Sequence, residues 1–314
     1  MSETICYFKS GIGNYILATP AFQALASMDP TGKIDLCLAK EYIKDSRHNA
    51  VREMAEHAPF IDQIVEWPRN GYKRWFIPVQ SETSHVGHFI QRHTKHHKNS
   101  WPGAAWKRQG THEIMGNMVI VQALGYDGPI PLPYIPCAPG PKVGLNRPLI
   151  ALCNSSFGTE VWRKKRWTGF PALAKRLRER WGASVIGVGG KDDLLEVDLD
   201  RDFCGKTTIT ETAAILKQAD AFVSTDTGCM HIGSYLGIPT IGLFGGTLTT
   251  KNAPLGKRSV ALKATIWCAP CQYEARFFTC RYYACMESIR PKDVMEVLEN
   301  MIPEVDHLSI AGGK

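Results

Sequence analysis

An apolar run that ends in a glycine turn and passes into a helical stretch narrows the choice of fold more than any bulk property, and this sequence carries that pattern in both halves. In the first half Ile5-Cys6-Tyr7-Phe8 leads into Gly11-Ile12-Gly13-Asn14, then into a stretch marked by Leu17, Phe22 and Leu25. Strand, tight turn and helix in that order open a βαβ unit. Lys33 to Leu38 and Ile61 to Glu66 read as further strands. The second half restarts with an apolar strand from Leu149 to Leu152. Thr168 is expected to cap a helix with Phe170, Leu173 and Leu177 on one face, stopping at Gly182. Ser184 to Val188 then forms a strand ending in Gly189-Gly190, and Thr210 is expected to cap a helix over 211–219. Ala221 to Ser224 reads as strand, Gly228 to Leu236 as helix and Ile238 to Phe244 as strand. Such alternation predicts an α/β fold with parallel sheets.

Between the halves, Gly128 to Pro148 holds Pro129, Pro131, Pro133, Pro136, Pro139, Pro141 and Pro148. Proline stiffens the chain and removes backbone donors, so this passage is the expected linker. The expected division is an N-terminal domain over 1–140, a second over 141–290, and a closing segment, 291–314, whose helix packs back across the junction. Two facing Rossmann-like domains leave a cleft at the carboxyl ends of their strands, where open α/β sheets bind ligands.

The length of 314 residues suits two domains. No apolar run reaches the ~20 residues of a membrane helix, and the start, MSETICYFKSG, lacks a signal-peptide pattern; a cytoplasmic location is expected. A formal charge of +7 does not by itself indicate nucleic acid, and none is expected as a partner. The excess is local. Arg69, Lys73, Arg74, Arg92, Lys95, Lys98, Lys107 and Arg108 share a stretch with one acid, Glu82, and with His85, His88, His93, His96 and His97. This suits an anionic partner such as a phosphorylated glycolipid or the inner face of a membrane; a solvated face is the equal alternative.

The chemistry concentrates in Val223-Ser224-Thr225-Asp226-Thr227-Gly228-Cys229-Met230-His231 and in Phe244-Gly245-Gly246-Thr247. A strand delivers a turn that opens a helix at Gly228. The first N–H groups of a helix have no intrahelical partner and lie at its positive end, so they suit a diphosphate. Asp226 could fix sugar hydroxyls, and His231, one turn on, could donate to a phosphate oxygen. Gly245, Gly246 and Thr247 end the next strand and would line the same pocket. The plainer alternative makes Asp226 and Thr227 a helix cap and His231 a core histidine. Two glycine turns on neighbouring strands favour the site.

Cys6, Cys37, Cys137, Cys153, Cys204 and Cys229 are dispersed and read as packing residues. Cys268, Cys271, Cys280 and Cys285 are clustered, with a composition that suits a structural zinc or iron; reduced thiols or a local disulfide in a packed loop are the alternatives. Asp192 and Asp193, after Gly189-Gly190, are candidates for a ribose contact or for a simple acidic turn.

In order along the chain, Gly11-Ile12-Gly13-Asn14 with Thr19-Pro20, Lys165-Arg166-Trp167, Asp226-Thr227-Gly228-x-x-His231 with Phe244-Gly245-x-Thr247, and Cys268-Ala269-Pro270-Cys271 through Cys280, Cys285-Met286 and Ile289-x-Pro291 resemble glycosyltransferase family 9, the heptosyltransferase-like proteins. The resemblance implies a GT-B fold, two facing Rossmann-like domains with the donor held mainly by the second. It implies inverting transfer from a nucleoside-diphosphate sugar, typically ADP-heptose, to a glycan or glycolipid such as the lipopolysaccharide core, with no catalytic metal. It assigns Lys165 to the donor phosphates and Ser10, Gly11 and Gly13 to the acceptor side. Asn14 stands where heptosyltransferases carry an aspartate base, and an amide takes up no proton at neutral pH; the histidines of 85–97 and Asp226 are the replacement candidates.

Three competing readings remain. A nucleotide-sugar 2-epimerase of the same architecture needs the donor cradle but no acceptor. A non-catalytic sugar-nucleotide binding protein would explain Asn14. A dehydrogenase fails at Ile16, where its glycine signature needs glycine, and has only Asp35 as its ribose acid.

Overall fold

The computed structural model describes residues 1–38, 46–69, 71–80, 110–156, 160–193 and 195–303. The basic and histidine-rich residues from 81 to 109 lie outside the described residues, and so do the base candidates His85, His88, His93, His96 and His97. The chain divides into two units, Met1–Pro136 and Cys137–Lys314.

In the first unit, β1 (Thr4–Phe8), β2 (Ile34–Leu38), β3 (Ile61–Val65) and β4 (Arg74–Phe76) form a parallel sheet in the order β3-β2-β1-β4. Strand β1 is buried along its length, as expected of a parallel strand covered on both faces. It feeds helix α1 (Ile12–Ser27) through Gly11, its N-cap. Pro20 inside α1 has no N–H for the carbonyl of Ile16; the Thr19 hydroxyl donates to that oxygen instead at 2.7 Å. The same hydroxyl accepts the Tyr134 N–H at 2.9 Å. Helix α2 (Ser46–Glu56) follows β2, and helix α3 (Glu113–Ala123) packs on α1. Asn117 joins them: its side-chain oxygen accepts the Val79 N–H at 2.9 Å and its amide donates to the Leu17 carbonyl at 3.4 Å. Asp35 sits buried inside β2, accepting the Tyr72 hydroxyl at 2.5 Å with Arg69 at 3.5 Å. It is held as a structural acid, which removes the remaining dehydrogenase signal.

The second unit has six parallel strands in the order β10-β9-β8-β5-β6-β7. They are β5 (Leu149–Cys153), β6 (Ser184–Gly187), β7 (Arg201–Asp202), β8 (Ala221–Thr225), β9 (Thr240–Phe244) and β10 (Ser259–Lys263). Between β5 and β6 lie a short helix α4 (Glu160–Arg163) and α5 (Phe170–Trp181). Gly169, not Thr168, is the N-cap of α5, because a Cβ at 169 would run into the Trp167 ring. Gly182 ends α5 at φ +60, the left-handed conformation glycine adopts without cost. Helix α6 (Ile209–Leu216) is capped by Thr208 rather than Thr210. Thr208 and Glu211 bond reciprocally to each other's backbone N–H, whereas Thr210 is buried inside the first turn.

Helix α7 (Gly228–Tyr235) follows β8. Helix α8 (Thr249–Asn252) follows β9, and α9 (Ala275–Thr279) and α10 (Ala284–Glu287) carry the cysteine segment. Helix α11 (Pro291–Met301) is built into this unit's core, where Val294, Met295 and Leu298 meet Trp167, Phe170, Leu173 and Leu177.

The proline-rich passage is shared out between the units. Tyr134 bonds to Thr19 and, through its hydroxyl, to the His57 carbonyl at 3.0 Å, all within the first unit. Val143 N–H bonds to Gln218 and Gln218 to the Pro141 carbonyl, within the second. Among the described residues no helix is long and apolar enough to cross a membrane.

Candidate functional site

In the second unit, the chemistry-bearing residues gather at the carboxyl ends of β5, β8 and β9. Asn154, just past β5, brackets the backbone of Trp167. Its side-chain oxygen accepts the Trp167 N–H at 2.9 Å and its amide donates to the Trp167 carbonyl at 3.1 Å. The indole is buried against Phe170 and donates to the Ile289 carbonyl at 2.9 Å. With Trp167 pinned, the two lysines before it diverge. Lys164 is buried, donating to the Phe277 carbonyl with its ammonium 4.7 Å from the Phe277 ring centre. Lys165 turns the other way and meets Asp226: its ammonium donates to the Asp226 carbonyl at 2.8 Å and to Oδ2 at 2.9 Å. The lysine side chain is 18% exposed and the carboxylate 9%, so the pair is largely, not wholly, desolvated. The Trp162 ring lies 5.0 Å from the same ammonium.

Asp226 ends the turn after β8. Thr225 donates to the Ser155 carbonyl at 2.7 Å, tying this turn to the end of β5. Thr227 is the N-cap of α7, in extended conformation and with no side-chain hydrogen bond to the first turn. Gly228 is the first helical residue. The helix start, with its positive dipole end, therefore stands beside the Lys165 ammonium. His231 is buried one turn along, its ring stacked on Tyr235 at 6.3 Å.

Gly245, Gly246 and Thr247 follow β9, and Thr247 is buried. Both glycines are dictated by the cysteine segment. A Cβ at Gly245 would lie 2.5 Å from Met286 Sδ and 3.0 Å from Cys285 Sγ; one at Gly246 would lie 3.3 Å from Cys271 Sγ. The Cys271 N–H donates to the Gly246 carbonyl at 2.9 Å. Close packing of sulfur against the turn excludes a side chain at Gly245 and leaves little room for one at Gly246. Beside the turn, Lys251 is fully buried, its ammonium 5.8 Å from the Tyr273 ring centre. No motif drew attention to this cation.

Asp193 folds back into its own turn. Its Oδ2 accepts the Gly190 N–H at 2.7 Å, and Arg166 lies 3.6 Å from Oδ1. Burial pushes its carboxyl upward, against hydrogen bonds from Ser155 and Gly190 that pull it down. Gly189, at φ +149, gives the turn its shape. These contacts hold Asp193 within the turn that follows β6.

All ten cysteines are free. Cys6, Cys37, Cys153 and Cys229 are buried as expected of packing residues, whereas Cys137 is exposed and Cys204 half-buried. The clustered four influence one another: burial and the neighbouring Cys285, Cys280 and Cys268 raise the Cys271 thiol. Cys280 is lowered instead, by the Tyr282 and Tyr283 backbone N–H groups and by the charge of Lys164. Among the described residues no three or more of His, Cys, Asp or Glu stand together in an arrangement that could hold a metal ion. Cys280 meets backbone donors, while the sulfurs of Cys271 and Cys285 lie against the glycine turn.

In the first unit, Ser10, Gly11, Gly13 and Asn14 form the half-exposed turn from β1 into α1. Ser10 donates to Asn14 Oδ1 at 2.9 Å, and Asn14 Nδ2 donates to Glu113 Oε2 at 2.8 Å. Glu113, the first residue of α3, lies 99 positions away and is completely buried. It is a site candidate that no spacing in the sequence could reveal.

A separate cavity of about 350 Å³ opens at the opposite, amino-terminal ends of the strands in the second unit, lined by Arg147, Lys217, Asp220, Gly237 and Arg258. None of the candidate residues reaches it. The strand-end chemistry is the better guide to the site, because parallel sheets bind ligands at their carboxyl ends.

Comparison with known proteins bears on the fold. Residues 132–280 match the sequence model of glycosyltransferase family 9 (heptosyltransferase). A stretch of 163 residues is 28% identical to lipooligosaccharide heptosyltransferase 2 of Campylobacter jejuni, covering 47% of this chain and 49% of that protein. The match thus spans about half the length of that curated relative. A family 9 glycosyl transferase of known structure from Veillonella parvula superposes with a TM-score of 0.73 at 16% identity, covering 96% of this chain and 97% of that one. The iron-containing dodecameric heptosyltransferase TibC of enterotoxigenic E. coli, solved with ADP-D-beta-D-heptose, superposes with a TM-score of 0.67 at 14% identity, covering 96% and 76%. At such identities the structural likeness shows the fold: the expected GT-B-type α/β architecture of parallel sheets.

Proposed function

We propose that the chain is a heptosyltransferase-like member of glycosyltransferase family 9 and an inverting glycosyltransferase, moving heptose from ADP-heptose to a glycan acceptor such as a lipopolysaccharide core. The observation that carries the reading is the Lys165–Asp226 pair at the opening of α7. A departing nucleoside diphosphate needs positive charge and N–H donors at the bond that breaks. Lys165 and the first turn of α7 supply both, and Thr227 and Gly228 let a phosphate approach the backbone. On this reading Asp226 holds the lysine in place and takes the donor sugar's hydroxyls as ligand enters. His231, Gly245, Gly246 and Thr247 form the surrounding wall. Asp193 contributes by shaping its turn. Ser10, Gly11, Gly13 and Asn14 belong to the acceptor side.

The transfer requires no metal. A structural zinc or iron would be held by Cys268, Cys271, Cys280 and Cys285, which lie close enough to influence one another's thiols. Docking on an anionic membrane face is part of the proposal, supported by the exposed rings of Trp267, Phe278 and Tyr282, with the Arg276 guanidinium 5.7 Å from the Trp267 ring centre.

Thermal melts in the presence of ADP-, GDP- and UDP-sugars test the donor half. One nucleotide class should raise the midpoint of the wild type by mass action. Asp226→Asn should lose most of that rise while folding normally. A wild type that no nucleotide sugar stabilises would remove the reading.

A further inference from the structure

The acceptor turn lacks a carboxylate of its own at position 14, yet a carboxylate stands directly behind it. We infer that Glu113 is a positioning residue for the acceptor hydroxyl, acting through Asn14; the inference rests on the sugar transfer proposed above.

The polarity of the chain Ser10–Asn14–Glu113 is fixed by chemistry. The NH₂ group of Asn14 donates to Glu113 Oε2 at 2.8 Å, a carboxyl oxygen being the acceptor there. The amide oxygen is then committed to the other side, where Ser10 Oγ meets it at 2.9 Å. An amide oxygen has two lone pairs. One takes the Ser10 hydroxyl, and the second can take an acceptor-sugar hydroxyl at the half-exposed turn. Glu113 is 0% exposed. Its charge acts at one remove: a charge-assisted bond on the amide N–H polarises the carbonyl and makes its oxygen a stronger acceptor. The turn is also rigidly backed, since Asn117 on the next turn of the same helix holds α3 against α1.

The pair of variants that moves the carboxylate decides the matter. Glu113→Gln keeps an oxygen to accept the Asn14 amide, so a merely structural hydrogen bond would survive while the charge is lost. Transfer kcat should fall by about a hundredfold, the size of a lost positioning interaction, with donor KM and the donor-induced thermal shift unchanged. Asn14→Asp places two carboxylates at hydrogen-bond distance, where they cannot both ionise. One proton is then held with a raised pKa in the folded state only, so the variant's melting point should drop relative to wild type as pH rises through that pKa and recover on acidification. The double variant Asn14→Asp/Glu113→Gln carries one carboxylate again, with the new amide at position 113 donating to the new carboxylate at position 14. It should lose the pH-dependent penalty and regain most of the transfer rate. Glu113→Gln at wild-type kcat, a loss of kcat matched by loss of donor binding, or a double variant no better than the singles would each overturn the inference. A wild type that binds no nucleotide sugar would instead remove the reading on which it rests.

Discussion

Replacing Lys165 with methionine is expected to slow transfer by about two to three orders of magnitude and to destabilise the fold, and the two losses should separate in a double variant. The ammonium bonds both to the Asp226 carboxylate and to its backbone carbonyl. Removing it leaves a carboxylate that is 9% exposed without its charge partner. Breaking a buried pair from one side costs about 3–5 kcal/mol, and residual exposure of Lys165 places this case near the lower figure. Removing both charges in Lys165→Met/Asp226→Asn should return most of that stability, because no unpaired charge remains. Transfer should not return. If the lysine neutralises the leaving diphosphate, kcat falls by about two to three orders of magnitude, as for other donors aimed at developing charge, and stays down in the double variant. Chemical denaturation and initial-rate kinetics on the three proteins check both halves. A double variant that recovers activity along with stability would make the pair structural only.

Trp167→Ala is expected to be the most damaging single change to the second unit. The indole is 1% exposed within the cluster that includes Phe170, Leu173, Leu177, Val294 and Leu298. Truncating a buried aromatic to alanine costs about 3–5 kcal/mol. It also orphans the Ile289 carbonyl that the indole N–H serves. Trp167→Phe keeps an aromatic ring but loses the donor and part of the indole's volume, and should cost less than the alanine variant but more than the ~1 kcal/mol of the hydrogen bond alone. Denaturant unfolding gives both values. Trp167→Phe should keep donor binding, because the Asn154 bracket holds the Trp167 backbone and not its ring. Asn154→Ala should weaken donor binding more than it lowers stability, since it frees the segment that aims Lys165.

How much of this was readable in advance depended on whether the interaction was local. The turn from Asp226 to His231 was legible because strand, turn and helix are contiguous, and the dipole argument needs nothing from elsewhere. Lys165 was singled out by its place in Lys165-Arg166-Trp167. What aims it was not legible: Asn154 precedes Trp167 by 13 positions, and the Lys165–Asp226 pair spans 61. Glu113 lay beyond any spacing argument, since it reaches Asn14 only when α3 packs on α1. The glycines at 245 and 246 read as ligand-facing from their turn; that the sulfurs of Met286, Cys285 and Cys271 also pack against them comes from a segment about 25–40 residues on and was not legible. The caps at Thr208 and Gly169 were missed by one or two positions. At the first, Glu211 selects the threonine three residues before it; at the second, the Trp167 ring excludes a side chain. The clustered cysteines read as a ligand set by composition; the backbone donors at Cys280 and the glycine turn against Cys271 and Cys285 were not legible.

The most direct test of sugar transfer is to incubate the wild type with ADP-heptose and a heptose-deficient core glycolipid and to weigh the acceptor by mass spectrometry. The account predicts an acceptor heavier by one heptose, formed only with both substrates and far more slowly with Lys165→Met. An acceptor unchanged under those conditions and across GDP- and UDP-sugars, from a protein that is folded, would contradict it.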